Sequence, residues 1–211
     1  VSEDLGTGTY AFPDKITRIF LEALDEVVGK AGMNAVMNLA RLSVWLNSPP
    51  PPDFNPGITF AEMARLMAAL EEFYGPRAGR ELALRTGRAC FKYGVQDIRG
   101  LLGGADVALR FMPLGLRMRI GLEVLAEIFN RYSDLHVTLG ENAVDFFWVM
   151  DRCGFCWGRD TGQVACALPV GLIEETLYWI SGGRRFAVEE ISCVAAGESV
   201  CTVRISRQPL F

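Results

Sequence analysis

Apolar residues recur at helical spacing along the first half of the chain. From Asp14 onward, Ile16, Ile19, Phe20, Ala23, Leu24, Val27 and Val28 fall at i, i+3 and i+4 intervals, which marks an amphipathic helix ending near Gly29 to Gly32. Met33 to Leu46 resumes the pattern, with Val36, Met37, Ala40 and Val44 as its buried side. The four successive prolines of NSPPPPDFNPG cannot continue a helix and favour a stiff, extended connector. Thr59 and Glu62 then form a capping box, opening a helix that runs to Phe73 or Tyr74 and stops at Gly75-Pro76. A further helix is expected from Arg77 to Tyr93, with Cys90 inside it as a small buried hydrophobe. Glycines break GVQDIRGLLGGADVALRFMP into short helices and turns. Its GLLGGAD is not a dinucleotide loop, because no strand precedes it and the glycine spacing is wrong. Leu114 to Arg131 is a long helix whose apolar face (Leu114, Met118, Leu122, Leu125, Ile128, Phe129) is widened by Leu116, Ile120 and Val124.

The period then changes from 3.6 residues to 2. Leu135, Val137 and Leu139 alternate with His136 and Thr138, and Ala143 to Met150 is rich in β-branched and aromatic residues. Gly140-Glu141-Asn142 between them predicts a hairpin turn. Leu168 to Ile180 is helical and ends at Ser181-Gly182-Gly183. Arg185 to Ser192 and Val200 to Ser206 are strands joined around Ala196-Gly197-Glu198. The expected fold is α+β, with a helical N-terminal half packed on a four-stranded antiparallel sheet and a C-terminal half reading β-β-α-β-β. Three segments follow: an N-terminal helical arm (1–47), a proline-rich linker (48–58) and the main domain (59–211).

Composition narrows the function classes. Half of the 211 residues are hydrophobic, enough for a sizeable core without disulfides. The formal net charge is −4 and no basic stripe is visible, which argues against nucleic acid and against anionic membrane surfaces. No apolar run reaches the roughly 18–20 residues of a membrane span. VSEDLGTGTY carries no charged-then-apolar leader. A cytoplasmic protein is therefore expected, its cysteines reduced thiols or metal ligands rather than disulfides.

Those cysteines hold the candidate chemistry. Five of the six lie between Cys153 and Cys201. Strand alternation puts Phe186, Val188 and Glu190 on one face and Cys201, Val203 and Ile205 on one face, so Glu190 and Cys201 share the core side of paired strands. A carboxylate buried there needs a cation or a proton. Cys193 lies where the strand breaks and can turn back to the same point. Cys166 lies just ahead of a helix N-terminus, which favours a thiolate. Three thiolates and a carboxylate suit a tetrahedral structural zinc. Spacing alone leaves zinc, buried free thiols and a disulfide open. Cys153-Gly-Phe-Cys156 reads as half a zinc site, a redox pair or packing, and no thioredoxin-like βαβ context surrounds it.

ALPVGLIEETLYWI followed by VEEISCVAAGESVCTVRI resembles the 4-vinyl-reductase domain family: a Cys before a glycine-containing helix, then Glu-x-x-Cys, a Gly, and a second Cys eight residues on. EEFYGPRAGRELALRTGRACFKYG is similar to the Tyr-Gly…Gly helix pair of that family. The resemblance covers Thr59 to Gln208, roughly seven-tenths of the chain. The family includes proteins tied to bacteriochlorophyll synthesis and the aromatic-sensing domains of phenol- and xylene-responsive activators, and its fold is similar to that of TRAPP vesicle-tethering subunits. In the activator domains a zinc is bound by Cys, Glu, Cys and Cys. The resemblance carries that set onto Cys166 (within one residue), Glu190, Cys193 and Cys201, with Glu189 in place of Glu190 if the register shifts. The family motif does not require both Cys153 and Cys156, and this chain departs there.

The resemblance further implies a small hydrophobic ligand, aromatic or tetrapyrrole. Candidate pocket residues are Trp148, Phe146 or Phe147, Trp157, Tyr178, Trp179, Phe111 and Met118. His136, the single histidine, is either a polar orienting group or, by its parity with Thr138, a plain exposed side chain. The leading function is a zinc-structured sensor or carrier domain, expected as a homodimer. The alternatives are an enzyme or accessory subunit in bacteriochlorophyll vinyl reduction and a dimeric tethering protein. There is no nucleotide fingerprint and no Ser-His-Asp set, which reads away from catalysis. No G-x-x-x-x-G-K-[ST] motif follows, so the chain is not itself a complete activator.

Overall fold

The computed structural model describes residues 9–102 and 112–210. Strand β1 (Ala11–Pro13) leads into α1 (Asp14–Leu39), which is kinked where Gly29 adopts φ 70°, ψ 167°. That backbone is closed to most L residues, so the glycine read as a helix end becomes a hinge between two helical pieces. Arg41, at φ 58°, turns the chain into the short α2 (Val44–Asn47). The proline-rich connector then runs back along α1. Asp14 N–H donates to the Asn55 carbonyl at 2.8 Å and Lys15 N–H to that of Asp53 at 2.8 Å, so the connector satisfies orphan donors at the start of α1. It ends as β2 (Pro56–Thr59), antiparallel to β1.

The capping box forms as expected. Thr59 Oγ1 accepts from Glu62 N–H at 3.2 Å and Glu62 Oε2 accepts from Thr59 N–H at 2.9 Å, starting α3 (Phe60–Tyr74). Helix α4 (Pro76–Leu102) continues well past Tyr93, through Gly94 and Gly100, where short helices and turns were expected. The rest of that glycine-rich segment, Phe111 included, lies outside the described residues. Helix α5 (Leu114–Tyr132) precedes the sheet.

The sheet has the order β3-β4-β6-β5, all antiparallel, from β3 (His136–Glu141), β4 (Asp145–Arg152), β5 (Phe186–Ser192) and β6 (Cys201–Pro209). Helix α6 (Ala167–Ser181) crosses between β4 and β5 and ends on Gly182 in the left-handed region. Among the described residues the architecture is α+β, six helices packed with a four-stranded antiparallel sheet. Helices α5 and α6 lie against β3 and β5 respectively. Among the same residues, no helix is long and apolar enough to cross a membrane.

Alternation along the strands follows the period-2 expectation. Val137, Phe146, Trp148, Met150, Phe186, Glu190, Cys201, Val203 and Ile205 are buried, while His136, Thr138, Glu189 and Arg204 face solvent. One core runs from Phe12 and Phe20 of the N-terminal segment to Val203 and Ile205 of β6. Its tightest helix contact is between α4 and α6. A Cβ on Gly87 would stand 1.9 Å from the Leu168 carbonyl oxygen, and one on Gly171 would stand 1.9 Å from that of Leu84. Each helix presents a glycine to the other's backbone, so their axes approach more closely than side chains would permit.

Candidate functional site: a buried thiol cluster and an apolar cavity

The edge of a tetrahedron fixes the test for a metal. With zinc–sulfur bonds of about 2.3 Å, two thiolates on one ion sit about 3.8 Å apart. The Sγ atoms of Cys166 and Cys193 are 3.8 Å apart, those of Cys193 and Cys201 3.8 Å, and those of Cys166 and Cys201 3.9 Å. Three cysteines thus form one triangular face of the required size. Glu190 stands at the fourth corner, and its donor oxygen and the three sulfurs all lie within 4.8 Å of one another.

Each donor is placed by an element. Cys166 is the residue preceding α6, Glu190 is an inward position of β5, Cys193 follows the end of β5, and Cys201 opens β6. All four are buried. Glu190 Oε2 accepts from the Cys166 N–H at 2.9 Å and lies 3.8 Å from the Arg80 guanidinium of α4. Oε1 is buried without a partner. A buried carboxylate with one orphan oxygen, set among three thiols, is a costly arrangement that a cation relieves. Glu189 points outward instead, to Arg204 at 2.7 Å, so the register puts Glu190 rather than Glu189 among the thiols.

Cys153 and Cys156 join the same cluster. Cys153 Sγ is 3.4 Å from Cys166 Sγ, and Cys156 Sγ is 3.4 Å from Cys201 Sγ. Together Cys153, Cys156, Cys166 and Cys201 make a second buried group whose four sulfurs lie within 4.8 Å of one another. The cluster is compatible with a metal ion such as zinc. Without one, its electrostatics conflict. Burial raises the Glu190 pKa despite its hydrogen bonds to Cys166 and Cys193.

This yields opposite pH dependences. A carboxyl whose folded-state pKa is raised contributes stability below its unfolded value, and that contribution is lost as pH rises through the raised value. Chelated protein is therefore expected to lose stability as pH rises past the ordinary glutamate range. Metal-loaded protein, whose donors must be deprotonated, is expected to lose stability as pH falls. Urea denaturation across pH with and without chelator checks the two slopes.

The described aromatic residues singled out in the sequence do not line the apolar cavity among the helices. An apolar cavity of about 390 Å³ opens between α1, α4, α5 and α6, lined by Ile16, Ile19, Phe91, Gly94, Leu125 and Phe129 among others. Cys90 also lines it, and burial pushes that thiol well above its ordinary range, so it presents a neutral S–H. None of the described candidates Trp148, Phe146, Phe147, Trp157, Tyr178, Trp179, Met118 and His136 lines this cavity. Trp148 is buried in the core with its indole N–H unpartnered, and Phe147 takes the opposite parity. Trp157 packs edge-on to Tyr10, and Tyr178 lies under the Arg185 guanidinium. Trp179 packs against Phe91 of the lining, at 5.8 Å between ring centroids. His136 is an exposed partner of Asp151 at 2.8 Å. The missed lining residues carry the same periodicity as core residues. The available signal was Gly94, a position without a side chain within an apolar helix face.

The cluster and the cavity share two elements. Helix α4 carries Arg80 beside Glu190, Gly87 at the α6 crossing, and Cys90, Phe91 and Gly94 at the cavity. Helix α6 follows directly on Cys166 and lines the cavity with Leu172.

No known sequence family matches this chain, and no curated protein matches it in sequence. In structure it is similar to a mutant H-NOX protein of T. tengcongensis, at 17% identity and a TM-score of 0.55 over 93% of this chain and 100% of that one. It is similar to an H-NOX protein from S. oneidensis in the Fe(II)NO ligation state, at 12% identity and a TM-score of 0.53 over 92% and 99%. It is also similar to the phenol-responsive sensory domain of the transcription activator PoxR with phenol, at 16% identity and a TM-score of 0.52 over 82% and 88%. The chain shares its fold with both groups. Sequence identities this low carry the fold and nothing finer.

Proposed function

We propose that this chain is a metal-structured small-molecule sensor or carrier domain that takes a hydrophobic, aromatic ligand in the cavity between α1, α4, α5 and α6. The observation that carries the reading is that cavity. Its volume of about 390 Å³ lies within the range of small-molecule sites, and its lining is apolar. The shared fold with a phenol-responsive sensory domain supports it, as does the 4-vinyl-reductase resemblance. In this reading zinc is held by Cys166, Glu190, Cys193 and Cys201, supplies no chemistry, and fixes β5, β6 and the start of α6. A ligand that favours one packing of α4 on α6 would shift the population of that packing and so alter a partner contact.

Heme is a weaker occupant. A study of heme distortion in the H-NOX family is among the structures of similar fold. Yet the single histidine of this chain is exposed on β3 and bonded to Asp151. A heme held through histidine does not fit these residues. For vinyl reduction, the discriminating assay is turnover of a vinyl tetrapyrrole with reductant.

The test of the binding reading uses a variant that fills the cavity without breaking the fold. A Cβ on Gly94 meets only Ile19 Cδ1, at 4.0 Å. Gly94→Leu is therefore expected to gain up to about 1 kcal/mol of helix propensity while occupying the cavity. In calorimetric titration with phenol and larger aromatic hydrocarbons, wild type should bind at least one probe saturably. At a hundredfold excess over Kd that ligand should stabilise the fold by about 2.7 kcal/mol. Gly94→Leu should melt no lower than wild type and bind none. Absence of saturable binding by wild type, or equal binding by the variant, would overturn the reading.

A further inference from the structure

We propose that the thiol cluster is a two-metal centre in which the Cys166 and Cys201 thiolates bridge a pair of thiophilic divalent ions such as zinc. The inference rests on the metal reading above and goes beyond its single ion. The buried donors form two groups of four, each with its ligand atoms within 4.8 Å of one another, and both groups contain Cys166 and Cys201. Two tetrahedra that share two corners share an edge. That edge, Cys166 Sγ to Cys201 Sγ, is 3.9 Å, close to the roughly 3.8 Å separation of two thiolates on one zinc. Cys153 and Cys156 complete one tetrahedron, and Cys193 and Glu190 complete the other.

Local structure supports both ends. Cys153 and Cys156 follow the end of β4 in a tight turn, so their two sulfurs converge as a chelating pair. Arg159 N–H donates to the Cys156 carbonyl at 3.0 Å, and its side chain is anchored to Glu71 of α3. Cys153 approaches Cys166 and Cys156 approaches Cys201, so each terminal thiol of the pair touches a different bridging candidate. Soft sulfur donors select thiophilic ions, and two dications offset more of the charge of five thiolates and a carboxylate than one does. Sulfurs 3.4–3.9 Å apart leave no room between them for inorganic sulfide, which argues against an iron–sulfur cluster. With a single ion in the Glu190 group, Cys153 and Cys156 would instead be neutral thiols donating S–H bonds to Cys166 and Cys201.

Metal stoichiometry decides between these. Full-length protein is stripped, refolded with excess zinc under reductant, desalted, and measured by elemental analysis and native mass spectrometry. Wild type should hold two zinc ions per chain, and the double variant Cys153→Ser, Cys156→Ser should hold one. One ion in each would overturn the proposal and leave the single-metal reading standing. No ion in either would overturn both. Should the double variant not fold, cadmium-loaded wild type answers alone: two coupled cadmium resonances support bridging thiolates, and a single resonance overturns it. Acid-labile sulfide in the purified protein would also overturn it.

Discussion

Replacing Cys193 with serine is expected to cost the centre the ion held with Glu190 and to lower the melting temperature by about 6–20 °C. Cys193 is fully buried, shares triangle edges of 3.8 Å with Cys166 and Cys201, and follows the strand that carries Glu190. The Glu190 carboxylate already has one buried oxygen without a partner. Losing that cation leaves the Glu190 carboxylate in a dry site with only the Arg80 guanidinium, 3.8 Å away, to balance it. Breaking a buried charge arrangement by removing one partner costs about 3–5 kcal/mol. In a domain of this size each kcal/mol moves the melting point by roughly 2–4 °C. Cys90→Ala is the control. That thiol lies in the helical cavity, outside the cluster, so metal content should stay at the wild-type value. A Cys193→Ser protein with wild-type metal and melting temperature would show that the triangle holds no ion.

The second large effect is expected at the α4–α6 crossing. Gly171→Ala should destabilise by about 3 kcal/mol, the upper end of ordinary overpacking, or roughly 6–12 °C. The new methyl would stand 1.9 Å from the Leu84 carbonyl oxygen, a backbone atom that no rotamer change can move. The helices must separate. Gly87→Ala imposes the same separation through the Leu168 carbonyl, so the double variant should cost less than the sum of its parts. Because α4 and α6 also border the cavity, both variants should weaken aromatic ligand binding, measured by the same titration. Gly115→Ala provides the contrast: its Cβ meets nothing within 4 Å, so stability should hold or rise. Additive losses at Gly87 and Gly171, or none, would contradict the close crossing.

How much of this was legible in the sequence depends on the range of each interaction. The capping box at Thr59, the break at Gly29 and the β3–β4 hairpin rest on residues a few positions apart, and local chemistry decides them, although Gly140 and Glu141 extend β3 and the turn falls at residues 142–144 rather than at Gly140 to Asn142. The inward faces of β5 and β6 follow from period 2 alone, which is enough to put Glu190 and Cys201 on the same side of the sheet. The meeting of Cys153 with Cys166 and of Cys156 with Cys201 was not legible. It depends on where the chain leaving β4 passes relative to the start of α6, and no periodicity encodes that. The cavity was hidden for a different reason. Ile16, Ile19, Leu125 and Phe129 repeat as core residues do, and a void is a property of how four helices diverge, not of any one of them. The aromatic residues chosen from the sequence are large and apolar, and large apolar groups fill space. Trp148 and Phe146 accordingly went to the core. The connector held its own surprise. Its prolines forbid a helix, as expected, but its end pairs with β1 because an edge strand tolerates the missing N–H of Pro56.

Whether the thiol cluster holds metal is tested most directly by elemental analysis of protein purified without added metal. At least one thiophilic divalent ion per chain, retained through desalting and released by acid, is the predicted result. Protein that is folded, carries less than about a tenth of an ion per chain, and titrates all its cysteines as free thiols would contradict it.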